Sequence, residues 1–418
     1  MPWGAFAVLI GNLLVTHASW RWCYIVAGIY STAALVGTGI FYFPPSRPRY
    51  DFEKTRWQEF AELDFVGLAL YTCGLTIFLI GLSWAGAADH PWSGASVIAP
   101  IVLGIALLCC CFAYDWIVVA QERAFFPLHL FKRFREFTVI LVVVLVAGMI
   151  YYSMSSLIPQ ATFYIFSNDG YQIGIISLPN GIGQCFGAIA MPAVMHLTKK
   201  PKMHIVAAVI IQGLFTALFA YSVPDHKGAW MAFQFFGQGC FAWITVATIV
   251  NAGLHVKHSD LGLAVGLIST FRAAGGSIGD AVFAAILTGS VNSQLAPRIA
   301  EAAIAEGYKA ADLELLIPAV IEAAVGVPGA FATVPGVTPA IQAATLHAFR
   351  EAYAYAFQRV FYATIPFSVM AFIAALFIKD ASDYMTNHTA VVMERNALGE
   401  MPNYTMNGKG LAMGTEKI

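Results

Sequence analysis

The residues able to do chemistry in this 418-residue chain are few, and they recur at helical spacing inside long apolar stretches. Asn180 and Gln184, Gln234 and Gln238, and Tyr152 and Ser156 are each four apart, which sets both members of a pair on one helix face. Gln160, Trp243 and Asn251 extend those faces. Amides and aromatic rings in an apolar setting suit two tasks. They can line a path for a bulky, mostly uncharged organic molecule, or they can bridge neighbouring helices by hydrogen bonds. Residue type alone leaves both open.

Arg272 is the sharpest single residue. It lies about 11 residues into its apolar stretch, roughly 17 Å deep at 1.5 Å per residue, near mid-membrane if that stretch spans a bilayer. A guanidinium at that depth needs a partner. Asp280 is eight residues on, about 12 Å farther along the axis, so the two cannot pair directly. Either Arg272 neutralises an acidic group or substrate during a working cycle, or it makes a fixed pair with another helix.

Other chemistries find no support. The seven cysteines (Cys23, Cys73, Cys109, Cys110, Cys111, Cys185, Cys240) all fall inside apolar stretches and form neither a CxxC nor a zinc spacing, so no metal site is expected. No GxxxxGK[ST] phosphate loop appears, and no nucleophile and base constellation, so neither a primary pump nor an enzyme is expected, and no cofactor. With a net charge of -1 and no basic run interleaved with aromatics, nucleic acid is not an expected partner.

The elements that must position these residues are membrane helices. The chain is 59% hydrophobic and only 11% charged, where a soluble domain carries about 25% charged residues. Ten apolar stretches fall near 3 to 16, 20 to 43, 65 to 85, 97 to 119, 138 to 162, 172 to 197, 204 to 222, 229 to 253, 261 to 290 and 360 to 378. In hydrocarbon a spanning backbone must satisfy its own hydrogen bonds, and about 20 apolar residues cover the core, so the fold class is an all-α polytopic helical bundle in a lipid bilayer.

The connections set its orientation. Those on one side hold twelve basic residues: Arg47, Arg49, Lys54, Arg56, Arg123, Lys132, Arg133, Arg135, Lys199, Lys200, Lys202 and Lys257. The opposite connections, around 89 to 96, 167 to 171 and 224 to 228, hold only Lys227, which places the basic side and the C-terminal tail in the cytoplasm. Asn387 and Asn403 head sequons in that tail and are expected to be unmodified. The first stretch is short, is broken by Gly11 and Asn12, and has no basic residue before Arg21, so a chain lacking upstream helices is expected rather than a secretory signal.

Two segments are not ordinary loops. Residues 121 to 137 mix Phe125, Phe126, Leu128, Leu130, Phe131 and Phe134 with basic residues, as expected of a segment lying along the membrane surface. Residues 292 to 358 are Ala-rich with five prolines between helical patches, as expected of an ordered outer cap. Gly183 with Gly187, Gly262 with Gly266, and Gly275 with Gly279 have the spacing that lets helices approach closely. Asp64 and Asp115, near helix ends, are expected to make hydrated capping or loop contacts.

Several stretches resemble a known family. Ser19-Trp-Arg-Trp-Cys-Tyr24, Leu63-Asp-Phe-Val-Gly67 and Thr270-Phe-Arg-Ala-Ala-Gly-Gly-Ser-Ile-Gly279 resemble the 14-span drug:proton antiporter branch of the major facilitator superfamily. The run from Ala352 to Phe367, Phe377-Ile-Lys-Asp380 and Tyr384-Met-Thr-Asn-His388 are similar to the fungal trichothecene efflux pumps, with fungal siderophore transporters close by.

The resemblance implies that the ten stretches correspond to the fifth through fourteenth spans of that family. Residues 1–43 would then be the last two helices of an incomplete N-terminal bundle. Residues 44–137 would be a central linker with two extra membrane helices and an interfacial segment. Residues 138–380 would be a complete six-helix C-terminal bundle with an outer loop at 291–358, and 381–418 a cytoplasmic tail. The family's acidic first-span motif, its basic loop after the second span and its fourth-span Arg have no counterpart here. The implied function is proton-coupled efflux of toxin-like or drug-like molecules at the plasma membrane, with protons and a small organic substrate as partners. Import of ferric siderophores, or a non-transporting remnant, are the alternatives.

Overall fold

The structure is a computed structural model, and it describes residues 2–43, 56–61, 63–85, 90–119, 124–257, 260–385, 404–407 and 410–413. Arg47, Arg49, Lys54, Arg123, Asn387 and Asn403 lie outside the described residues.

Residues 1–382 form one compact unit whose long elements are all helices. In chain order these are α1 (Pro2–His17), α2 (Arg21–Phe41), α3 (Arg56–Ala61), α4 (Phe65–Trp84), α5 (Ala95–Ile117), α6 (Leu128–Phe131), α7 (Val139–Ala161), α8 (Gly170–Thr198), α9 (Pro201–Ser222), α10 (Lys227–His255), α11 (Leu261–Ala305), α12 (Leu313–Ala324) and α13 (Pro339–Phe377). Wider π-helical turns, Phe134–Thr138 and Thr162–Phe166, continue α7 at both ends. Among the described residues nine helices are long and apolar enough to cross a membrane, and α1 contributes the shorter apolar helix Ala5–His17. Residues 383–418 form a second unit, in which β1 (Tyr404–Asn407) pairs antiparallel with β2 (Gly410–Met413).

Local chemistry sets the helix ends. Asp169 accepts from the backbone N–H groups of Tyr171 and Gln172 and starts α8. Lys199 turns into the left-handed region and closes α8, and Pro201 then opens α9 at a position where a missing N–H costs nothing. Thr338 accepts from Ile341 N at the start of α13, with Pro339 as its first residue.

The packing is organised around α7, which lies against α11 and α13, while α8 pairs with α10, α9 with α10 and α13, and α4 with α5. Helix α1 lies along α8, and α4 reaches α11. Close approach depends on glycine at two crossings. A Cβ at Gly183 or Gly187 on α8 would run into the Phe235 or Gly239 carbonyl on α10, and one at Gly275 on α11 would meet the Leu145 carbonyl on α7. A Cβ at Gly262 or Gly266 would instead meet open space, so that third pair makes no close approach.

The segment after α11 departs from a simple loop. Helix α11 runs 45 residues without a break, about 68 Å at 1.5 Å per residue, so it stands far beyond a hydrocarbon core of ~30 Å. Helix α13 starts 21 residues earlier than the apolar stretch at 360, because an Ala-rich sequence satisfies its helical hydrogen bonds equally well outside hydrocarbon. The cap between them has its own core, built from Ile299, Ala303, Tyr308, Leu316, Val320, Ile341 and Phe349.

Residues 124–138 pack their apolar side chains against the bundle. Phe126, Leu130 and Phe137 are wholly buried in the bundle core, and only Phe134 of the aromatic residues is well exposed. These apolar side chains have protein partners, so the segment is a packed elbow between α5 and α7.

Candidate functional site

The exposed polar face of α7 carries Tyr152, Ser156 and Gln160, one turn apart from each other. Tyr152 packs over Gly276 of α11, where a Cβ would meet its ring at 2.5 Å. Its neighbour Tyr151 stacks on Phe241 of α10, and Tyr152 meets the same ring edge-on at 5.5 Å. The Arg272 guanidinium lies 5.8 Å from the centroid of Phe241, within the range of a cation–π contact. Three helices thus converge on one ring.

Among the described residues Arg272 forms no ion pair or hydrogen bond, and its Nε is buried without a partner. Asp280 is exposed two turns along α11, beside Ser153, and does not reach it. The site therefore offers an aromatic wall, a guanidinium with free donors, and a separate carboxyl group on the same helix.

The amide residues take a different place. Gln234 is fully buried and donates through Nε2 to the Ile176 carbonyl at 3.1 Å, tying α10 to α8. Gln238 is equally buried, and neither end of its amide has a hydrogen-bond partner. Asn180 is buried on α8, and Gln184 is half-buried there as a polar neighbour of the Tyr151 hydroxyl. Gln234 and Gln238 thus lie behind the aromatic wall. Trp243 and Asn251 are farther away, toward the elbow. Trp243 meets the His204 ring edge-on at 5.5 Å, and the buried Asn251 donates to the Lys379 carbonyl at 3.2 Å.

A network at the elbow was not legible in the sequence. Arg133 Nη1 donates to the His255 carbonyl at 2.6 Å, Lys379 Nζ pairs with Glu136 at 2.7 Å, and Lys379 N donates to the Arg135 carbonyl at 2.9 Å. His129 pairs with Asp260 at 3.2 Å. Partners more than 100 residues apart give no sequence signal beyond a cluster of charges.

Asp115, unlike Asp64, departs from the expectation of hydrated contacts. Asp64 does cap α4, accepting from Gly67 N at 2.8 Å, and Asp115 does hold a loop, accepting from Phe126 N at 2.7 Å. Asp115 is nevertheless wholly buried, because Phe126 folds back over it. Among the described residues no group of three His, Cys, Asp or Glu side chains is placed to hold a metal ion.

Residues 4–398 match the family described as fungal trichothecene efflux pump. The chain is 26% identical over 383 residues to the trichothecene efflux pump TRI12 of Fusarium sporotrichioides, covering 91% of this chain and 63% of that protein. It is 28% identical over 380 residues to the MFS-type transporter prx5 of Penicillium rubens, covering 90% and 67%. Against TRI12 of Trichoderma arundinaceum it is 26% identical over 395 residues, covering 92% and 64%. The chain thus spans about two thirds of the length of these relatives.

Proposed function

The chain belongs to the fungal trichothecene efflux pump family, and on that premise we propose that the whole protein is a secondary transporter that exports toxin-like or drug-like organic molecules across the plasma membrane in exchange for protons moving down their gradient. The observation that carries this reading is the convergence of α7, α10 and α11 on Phe241. It gives an exposed aromatic face at Tyr152 beside a guanidinium whose donors are unspent. A flat oxygen-rich molecule fits such a face through ring stacking and one charge-assisted hydrogen bond. Ser156 and Gln160 continue it along α7, while Asn180, Gln184, Gln234 and Gln238 form the hydrogen-bonding layer behind.

In this proposal α7 to α11 and α13 make the six-helix C-terminal bundle, and α4 with α5 the central pair. The end bearing Arg133, Lys199, Lys257 and Lys379 faces the cytosol, following the excess of basic residues there. Asp280, exposed on α11, is the candidate for proton exchange on this part of the protein. Trp243 and Asn251 sit at the cytosolic closure of the path.

The test uses the protein in inside-out membrane vesicles with an imposed pH gradient and a labelled trichothecene. Uptake that collapses with a protonophore, and that falls in Tyr152→Ala at normal protein abundance, supports the proposal. Gradient-independent equilibration identical to empty vesicles overturns it. Growth on iron-limited medium with a ferric siderophore as the only iron source distinguishes import from export.

A further inference from the structure

The strongest feature outside the proposed path is a basic and aromatic cluster where α13 meets the cap. Tyr355 of α13 is half-buried, and two guanidinium groups converge on its ring. That of Arg298 comes from α11 and that of Arg359 from the next turn of α13, each 5.0 Å from the ring centroid. Arg359 donates through Nε at 3.0 Å, and also through Nη2, to the Tyr355 hydroxyl. Arg298 uses only Nε, on the Gln294 side-chain oxygen at 3.3 Å, one turn back on its own helix. A guanidinium carries five N–H donors and a permanent charge, yet among the described residues neither of these two makes an ion pair.

Depth and direction give the cluster its setting. Arg359 lies 18 residues before Phe377, the last residue of α13, or about 27 Å at 1.5 Å per residue, so it reaches the far boundary of a hydrocarbon core ~30 Å thick. On the membrane side of it the same face of α13 presents Tyr362, Ile365, Val369, Ile373 and Leu376, all exposed and spaced three or four apart. On the cap side α11 and α13 bound a cleft of about 690 Å³ whose lining includes Arg298 together with Glu301, His347 and Glu351. Glu351 faces His347 at 3.7 Å, and Glu301 makes no ion pair among the described residues. Carboxylate, guanidinium, ring and aliphatic strip thus follow one another from the cap into the membrane.

We propose that this face binds one zwitterionic phospholipid from the leaflet on the cap side, with its phosphodiester between Arg298 and Arg359 and its ammonium group in the cleft toward Glu301 and Glu351. A phosphodiester accepts from two forked donors at once, and charge-assisted bonds of this kind are stronger beside hydrocarbon than in water. The Tyr355 ring holds both forks in place through cation–π contacts before the lipid arrives, which lowers the cost of ordering them. Glu301 is three residues beyond Arg298, about 4.5 Å farther along α11, a step comparable to that between the phosphate and the ammonium group of an ethanolamine head group. A singly anionic lipid satisfies the arginines but leaves both carboxylates without a cation, and a diacylglycerol satisfies neither. The acyl chains continue along the strip from Tyr362 to Leu376. In the orientation proposed above this is the outer leaflet, and that assignment alone rests on the transporter reading, since the binding itself needs no substrate.

The test is native mass spectrometry of the full chain, delipidated in detergent and titrated with dioctanoyl phosphatidylethanolamine, dioctanoyl phosphatidylglycerol or dioctanoylglycerol, with melting curves as the control for folding. The ethanolamine lipid is expected to bind about tenfold more tightly than dioctanoylglycerol, and more tightly than the phosphatidylglycerol. In the double variant Arg298→Gln, Arg359→Gln its binding should fall to the level of dioctanoylglycerol. Arg359→Gln alone, at an exposed position, reads the same loss if the double variant fails to fold. Glu301→Gln with Glu351→Gln should instead abolish the preference for the ethanolamine over the glycerol head group and leave the phosphate contribution in place. Ethanolamine lipid bound no more tightly than dioctanoylglycerol, unchanged binding in a folded arginine variant, or phosphatidylglycerol bound as tightly as the ethanolamine lipid overturns the proposal. None of these results bears on transport, and absence of transport leaves them unaltered.

Discussion

Tyr151 and Phe241 stack face to face, with ring centroids 4.0 Å apart and planes 8° from parallel. One residue is on α7 and the other on α10, so the stack fixes the ring that Tyr152 and Arg272 each approach. Stacked aromatic pairs contribute about 0.5–1.5 kcal/mol beyond burial. Phe241→Leu should therefore leave the protein folded but alter the ranking of aromatic over aliphatic substrates. Relative transport rates for a flat and a branched substrate in vesicles check this, and an unchanged ranking counts against a role for that ring.

Arg272 addresses a ring and has no bidentate carboxylate partner among the described residues, so what it supplies is charge. Arg272→Lys should keep transport within about threefold, because an ammonium also binds the ring face. Arg272→Gln should lose about tenfold or more, since the ring contact is worth on the order of 1 kcal/mol and the substrate contact goes with it. Initial rates at matched protein abundance separate the two. Equal loss in both would point to a geometric role that this structure does not show.

Tyr152 and Gln234 should behave differently. Tyr152 is exposed on the face, whereas Gln234 is fully buried and bonded to the Ile176 carbonyl. Tyr152→Ala should change selectivity with little effect on melting. Gln234→Leu should do the reverse, shifting stability by about 1 kcal/mol, the net worth of one hydrogen bond. Thermal melts in detergent alongside competition assays give both readings.

The two kinds of glycine pair make a clean contrast. Gly187→Ala forces a methyl group into the Gly239 backbone carbonyl, which cannot swing aside as a flexible side chain can, and should destabilise by about 1–3 kcal/mol. Gly262→Ala meets open space and should be neutral or slightly stabilising through helix propensity. Comparable melting shifts in the two variants would contradict the α8–α10 crossing described here.

At the elbow, the Glu136–Lys379 ion pair is short at 2.7 Å, yet the lysine side chain is half exposed. Exposed pairs contribute about 0.2–1 kcal/mol and weaken with salt, so Glu136→Gln should lower stability slightly at low ionic strength and hardly at all at high. Asn251→Ala removes a buried donor to the Lys379 carbonyl and should cost about 1–3 kcal/mol at any salt concentration. Melting curves at two salt concentrations separate the ion pair that joins the elbow to the end of α13 from the hydrogen bond that joins α10 to it.

The sequence alone marked the apolar helices: nine of its ten apolar stretches coincide, among the described residues, with helices long and apolar enough to cross a membrane, and the first falls on the shorter α1. Hydrocarbon thickness and backbone self-satisfaction act on each segment independently, so apolar length suffices to find α4 or α9 without knowing their neighbours. Residues also showed their shared faces, as with Tyr152 and Ser156, because a single helix fixes that periodicity. The glycine pairs 183/187, 262/266 and 275/279 gave one and the same signal of close approach, but not which helix would approach, and 262/266 meets none.

Only the tertiary structure decided which polar residues line a face and which lie behind it. Gln234 and Tyr152 look equally able to meet a substrate in sequence, and the packing of α10 against α8 buries one while α7 leaves the other open. The same holds for Asp115, which reads as a hydrated helix end until Phe126, 11 residues on, closes over it. The extension of α11 and α13 into a cap was likewise invisible to a search for apolar length, since an amphipathic helix outside hydrocarbon is stabilised by its neighbours rather than by lipid. Local constraints are written in one segment at a time. Burial and partnership belong to pairs of segments, and no single segment contains them.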